Sequence, residues 1–211
     1  MKIAVLIYGR LNTCVKHYLN TLESIGIEHD IDFFLSSDNS PELLLNHFIK
    51  LYEPIACIND KIEYNIDLTK YDGIRGETNI HNMICHFINK ERVFSLLEEY
   101  IEKSNVNYDI VLSLRIDIVF LQKNLFKNIL SIRNDDIIYI PLENDWVGGI
   151  NDQIAYGNIN TMRKYNNIYK HIIHLLDNKL SIPHPESLTL ANIKYHNLKI
   201  FRFQLYYYIE R

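Results

Sequence analysis

Short, nearly unbroken apolar runs alternate along the chain with longer segments in which apolar residues recur every three or four positions, which predicts strands and helices in turn. The first run, Lys2-Ile3-Ala4-Val5-Leu6-Ile7-Tyr8, is closed by Gly9-Arg10; it predicts a strand over 3–8, then a helix over 11–25 with Val15, Tyr18, Leu19 and Leu22 on one side. A second strand is predicted over 30–35. The polar cluster Ser36-Ser37-Asp38-Asn39-Ser40-Pro41 ends it and caps a helix over 41–52. A short strand over 55–58 precedes a polar excursion over 59–76, and a long helix follows over 79–103. Its apolar stripe is Ile80, Met83, Ile84, Phe87, Ile88, Val93, Leu96, Leu97 and Tyr100.

The run Tyr108-Asp109-Ile110-Val111-Leu112-Ser113-Leu114-Arg115-Ile116-Asp117-Ile118-Val119-Phe120 predicts a buried central strand over 109–120, interrupted by Arg115 and Asp117. Charged side chains are rarely buried unless paired or bound to something. The two therefore mark either a strand end opening into a site or a structural ion pair, and this segment alone leans to the pair. Beyond it the pattern predicts a short helix over 125–130, a strand over 136–141 stopped by Pro141, and a loop over 143–151 holding Trp146 and Gly148-Gly149. Helices are expected from near Asp152, over 159–178 and over 186–196, with a last strand over 198–203. The alternation predicts an α/β fold: a central twisted, mostly parallel mixed sheet flanked by helices. Ligands of such sheets gather at the carboxyl ends of the strands, so the places to search are 8–10, 36–39, 115–117 and 146–153.

Composition narrows the function classes. The chain has 211 residues, 47% apolar and 23% charged, and reads as one globular domain, 1–211. A net charge of −4 offers no general polyanion-binding surface, so no nucleic acid partner is expected. Cys14, Cys57 and Cys85 form no CxxC pair and read as free thiols of a reducing compartment. No apolar run approaches the roughly 20 residues of a membrane helix, and the first strand is too short for a signal-peptide core. A soluble, cytoplasmic protein is expected.

Gly9-Arg10 lacks the full GxGxxG pattern of a dinucleotide site, yet Arg10 at a strand end is placed either to hold a diphosphate or simply to sit at a turn. In an extended strand Arg115 and Asp117 share a face, and Asp117 is a hard oxygen ligand suited to Mg2+ or Mn2+. The triplet Asn151-Asp152-Gln153 reads as a helix cap or, with Trp146 and the glycines, as a sugar-binding loop: an aromatic platform with amide and carboxylate partners for hydroxyls. His184, between two prolines, is a Mn2+ ligand or a structural loop residue. His17, His29, His47, His81, His86, His171 and His174 show no metal-type spacing.

Taken in order, Gly-Arg after the first strand, Ser-Ser-Asp after the second, Tyr-Asp-Ile-Val-Leu-Ser-Leu-Arg-Ile-Asp, Trp-Val-Gly-Gly-Ile-Asn-Asp-Gln, Ala155-Tyr156-Gly157-Asn158 and the late His-Pro-Glu resemble the GT-A-fold nucleotide-sugar glycosyltransferases of large DNA viruses. The likeness is closest to amino-terminal domains of multi-domain chlorella virus enzymes, so further domains of a longer polypeptide are expected. The resemblance implies transfer of a hexose or deoxyhexose, of glucose or rhamnose type, from a UDP-sugar to a glycan acceptor in viral glycoprotein glycan synthesis, with Mn2+ or Mg2+ and in the host cytoplasm. It implies a nucleotide-binding part over about 1–120 and an acceptor-binding part over about 121–211. It makes Asp117 and His184 the metal ligands, although Arg115 stands where such enzymes carry the first Asp of an Asp-x-Asp motif. Tyr8, Gly9, Arg10, Ser36, Ser37, Asp38, Arg75, Asn79 and Arg115 would hold the nucleotide. Trp146, Gly149, Asn151 and Gln153 would hold the sugar. Asp152 would be the catalytic base if the reaction inverts the anomeric centre, and would orient the donor sugar if it retains. The competing expectations are a catalytically silent nucleotide- or carbohydrate-binding module and, less favoured, a nucleotidyltransferase, for which the first strand lacks a Gly-rich phosphate loop.

Overall fold

The computed structural model describes residues 1–11, 17–68, 71, 79–123 and 136–210. In chain order these form β1 (Lys2–Tyr8), α1 (Tyr18–Ile25), β2 (Asp30–Ser36), α2 (Glu42–Tyr52), β3 (Ala56–Ile58), α3 (Ile80–Ser104), β4 (Ile110–Arg115), β5 (Ile118–Phe120), β6 (Ile137–Pro141), β7 (Ile154–Gly157), α4 (Ile159–Asn166), a 3-10 turn (Asn167–His171), α5 (Ile172–Asp177), α6 (Pro185–Tyr195), β8 (Lys199–Phe203) and β9 (Tyr207–Ile209). Seven strands make one mixed, mostly parallel sheet in the order β3-β2-β1-β4-β7-β6-β8. β7 is the antiparallel member, running against β4 on one side and β6 on the other.

Strand periodicity explains why the sheet is covered on both faces. Along β1, Ile3, Val5 and Ile7 enter one core with Phe33, Leu35 and Leu112, while Ala4, Leu6 and Tyr8 enter the other with Phe34, Val93 and Val111. α3 closes the second core with Val93, Phe94 and Leu97, and its amino-terminal half packs Met83, Ile84, Phe87 and Ile88 in a third cluster. Asn79 caps α3, its side-chain oxygen accepting from the Asn82 N–H at 3.0 Å. The helix ends at Asn105 in a left-handed conformation.

Several elements depart from the pattern-based expectation. The central run is two strands. Its ladder to β1 ends at Tyr8 opposite Arg115, the last bond running from the Ile116 N–H to the Tyr8 carbonyl at 3.0 Å. After the turn at Ile116-Asp117, β5 pairs antiparallel with β9 in a separate two-stranded sheet. No helix starts near Asp152; the chain enters β7, whose four buried residues are covered on both faces and show no alternation. The predicted helix over 159–178 is three pieces, and β9 had no counterpart in the prediction. The expected helix over 125–130, part of the one over 11–25, and Arg75 lie outside the described residues. Among the described residues no helix is long and apolar enough to cross a membrane.

Candidate functional site

β1, β2 and β4 end at one edge of the sheet, and antiparallel β7 begins at that same edge, Leu114 standing opposite Ile154. The connection from β1 proceeds outwards to β2, whereas the chain returns through α3 to β4 on the inner side of β1. The crevice between the ends of β1 and β4 is therefore a topological switch point, where open α/β sheets bind ligands. A cleft of about 680 Å³ lies there, a size that suits a small-molecule ligand. Its walls are Gly9 and Arg10 after β1, Asp38 after β2, Arg115 to Asp117 after β4, Asp152 before β7, the start of α3 from Asn79 to Asn89, and Pro185-Glu186 at the start of α6.

Gly9 is required by geometry. Its φ is +124°, and a Cβ there would stand 3.0 Å from the Ile116 side chain. That close approach lets Arg10, an exposed side chain, turn into the cleft mouth. Arg115 forms a two-pronged ion pair with Asp117, Nε to Oδ1 at 2.7 Å and an Nη to Oδ2 at 2.6 Å. Burial alone would weaken the guanidinium's proton affinity, but the Asp117 carboxylate outweighs it and raises its pKa further. Both oxygens of Asp117 are thus taken by a cation. His184 Nδ1 lies 2.8 Å from Glu186 Oε2, off the hydrogen-bond direction, and burial lowers the imidazole pKa. As placed, Asp117 is neutralised by Arg115, and His184 is not among the residues that line the cleft with it, so the expected Asp117/His184 pair is not brought together on this cleft.

At the inner end of the cleft Asp152 is buried, 4% exposed, and its Oδ2 lies 3.1 Å from His86 Nε2. Burial pushes Asp152 up, but His86, Lys90 and Arg115 more than offset it and hold the carboxyl below its usual range. Burial is also the main reason why His86 is lowered. Lys90, fully buried one helical turn further along α3, sits 3.8 Å from the Tyr165 ring centre and 5.6 Å from that of Tyr8, and donates to the Asp152 carbonyl at 3.4 Å. Its ammonium is brought down to about 7 by burial. Glu186 moves the other way: burial, then the negative charge of Asp152, pushes it up to about 7. Two carboxylates of one cleft are therefore driven apart, one held ionised and one poised near neutrality.

The other expected nucleotide and sugar residues divide sharply. Asp38 and Asn79 line the cleft. Tyr8 lies beneath it, its hydroxyl donating to the Asp152 and Gln153 carbonyls at 2.9 and 3.0 Å. Ser36 donates to the Asn89 side chain at 2.8 Å, and Ser37 pairs with Ser40 at 2.5 Å; both are buried in the support of the loop. Asn151 is fully buried: its amide nitrogen donates to the Glu143 carbonyl and the Tyr207 hydroxyl, both at 2.6 Å, and its oxygen accepts from the Gln153 N–H at 2.9 Å. The Gln153 oxygen accepts from Tyr207 at 2.9 Å. These two amides strap the loop that presents Asp152, and that of Asn151, with its nitrogen and its oxygen both engaged, has no capacity left for sugar hydroxyls. Trp146 is 60% exposed and is not part of the cleft wall. Gly149 is wedged against the backbone of Glu186, where a Cβ would come within 2.2 Å of the carbonyl carbon.

Sequence reasoning missed His86, Lys90 and Glu186, together with His81 and Cys85. Burial and the negative charge of Asp38 push the Cys85 thiol up to about 11. A signal existed for the first two: residues 83, 86, 90, 93 and 97 form one stripe of α3, and a His and a Lys interrupt its apolar members. Compared with known proteins, the sequence matches no family model and no curated protein.

Proposed function

We propose that the protein is a glycosyltransferase of GT-A type that moves a hexose or deoxyhexose from a UDP-sugar to a glycan acceptor in the cytoplasm. The observation that carries this reading is the convergence on one switch-point cleft of two arginines, Arg10 and Arg115, with two carboxylates of opposite tuning, Asp152 and Glu186. Arg10 and Arg115 hold the diphosphate and stabilise the charge that develops on it as it leaves. The acceptor oxygen bonds to the anomeric carbon while the bond from that carbon to the diphosphate oxygen breaks, and its electron pair leaves with UDP. The acceptor proton passes to Glu186, whose affinity for a proton is matched to neutral pH, whereas a carboxyl held as low as Asp152 is a weak base. Asp152 instead faces the positive charge that builds at the anomeric carbon, with the His86 imidazole 3.1 Å from its carboxylate. This arrangement moves the base from Asp152, where the sequence resemblance puts it, to Glu186.

The closed Arg115–Asp117 pair favours one rival, a module that binds the nucleotide or a carbohydrate without turning it over. UDP release from UDP-glucose and UDP-rhamnose, measured with and without Mn2+ and acceptor, separates the two. Wild type is expected to release UDP, and Asp152→Asn and Glu186→Gln to lose about 100-fold or more of the rate. UDP affinity by calorimetry should stay within about threefold in both variants, while Arg115→Ala weakens it about tenfold or more, as the loss of a charge-assisted contact predicts. Binding without release establishes the module, and absence of binding by any uridine nucleotide defeats both readings.

A further inference from the structure

Asp38, His81 and Cys85 each offer one ligand atom, and these atoms lie within 4.8 Å of one another. The group is assembled by the fold: His81 and Cys85 are four apart on α3 and so share a face, and Asp38 reaches them from the loop after β2. We propose that these three residues bind Zn2+, with the fourth coordination position opening into the cleft. The donor set decides the metal. A thiolate, an imidazole and a carboxylate together select zinc over the hard ions Mg2+ and Mn2+, which prefer oxygen alone.

Distances and surroundings both fit. Cys85 Sγ lies 3.6 Å from His81 Nε2, and a tetrahedral centre with bonds of about 2.3 Å to sulfur and 2.0 Å to nitrogen needs its ligands about 3.5 Å apart. Two of the ligands are oriented from behind, as zinc ligands commonly are. The Tyr64 hydroxyl lies 3.0 Å from His81 Nδ1, which leaves Nε2 for the metal. Asp38 Oδ1 accepts the Ile62 N–H at 2.8 Å, which leaves the second carboxylate oxygen. All three residues line the same cleft as Arg10, so the open position takes water or an anionic oxygen of whatever occupies the cleft. The site is separate from the Arg115–Asp117 pair and does not depend on sugar transfer.

The test uses the tag-free full chain and Co2+ as a spectroscopic substitute for Zn2+. Wild type is expected to bind one Co2+ per chain with the intense visible ligand-field bands of a tetrahedral site and a thiolate charge-transfer band, both displaced by Zn2+. Cys85→Ser should abolish the charge-transfer band. Asp38→Asn, which is nearly isosteric and so preserves the loop, should weaken Zn2+ binding about tenfold or more in competition with a chromophoric chelator. Cys14→Ser and Cys57→Ser should change neither. The proposal is overturned if wild type takes up no stoichiometric Co2+, if the charge-transfer band survives in Cys85→Ser, if either control variant removes it, or if Asp38→Asn binds Zn2+ as wild type does. UDP release from the same preparations reports on the sugar-transfer reading separately, since zinc binding without turnover leaves this site standing and turnover without zinc binding removes it.

Discussion

Two neighbouring glycines illustrate how much of the site depends on backbone contact. Gly148 has a φ of +65° and open space around it, so a methyl group there meets only the cost of a left-handed backbone, about 1–2 kcal/mol. Gly149 has no such backbone requirement, but a Cβ would fall 2.2 to 2.4 Å from the Glu186 carbonyl and the Ser187 nitrogen. Backbone cannot yield as a flexible side chain does, so the loop and the start of α6 must separate. Gly149→Ala is expected to cost about 1–3 kcal/mol and to impair UDP release, because it displaces Glu186. Gly148→Ala should lower stability by a similar or smaller amount and leave the rate near wild type. Urea denaturation and the release assay on the two variants check this, and an equal loss of rate in both would show that Glu186 is not held by this contact.

Asn151 sets the loop as an element. Its amide makes the contacts to Glu143, Tyr207 and Gln153 described above from a position with no solvent exposure. Asn151→Ala strands buried partners and is expected to destabilise by about 1–3 kcal/mol, with a loss of turnover larger than that of substrate affinity because Asp152 loses its fixed position. A rate and affinity unchanged from wild type would mean that the strap is not what holds the carboxylate. The elements that were legible beforehand are those with a long period: the strand Lys2–Tyr8, the 25-residue helix α3 and the edge where Arg10, Asp38, Arg115 and Asp152 meet. The role of Asn151 was not legible because a polar residue beside glycines looks the same whether its amide faces a ligand or a carbonyl of its own loop. β7 and β9 were missed because four and three residues are too few to show a period. The Asp38–His81–Cys85 group was invisible because its parts come from separate segments, joined only when β2 and α3 pack. His86 and Lys90 were the residues whose positions on an apolar stripe announced them.

At the scale of the molecule, the buried charges around Asp152 give the fold a distinctive response to pH. Glu186 has a folded pKa of about 7 against an ordinary 4.5, so between these values the folded state holds the extra proton and stability falls as pH rises. Lys90 has a folded pKa of about 7 against 10.5, so above 7 the unfolded state holds the extra proton and stability climbs again towards pH 10.5. His86, lowered by burial, adds a rise that ends near 6.5 and opposes part of the Glu186 descent. The variants isolate these contributions. The Tm advantage of Glu186→Gln over wild type should grow from pH 4.5 to 7 and then level off. That of Lys90→Met should be greatest below 7 and shrink towards pH 10. A change of about 5 kcal/mol over the Lys90 window, as a shift of this size implies, corresponds to roughly 10–20 °C in a domain of this length. The two effects run in adjoining windows and with opposite slopes, so no general change in net charge can imitate both. Wild-type and Lys90→Met melting curves that stay parallel from pH 7 to 10 would show that burial does not depress the Lys90 ammonium, which would then stay charged beside Asp152 throughout that range.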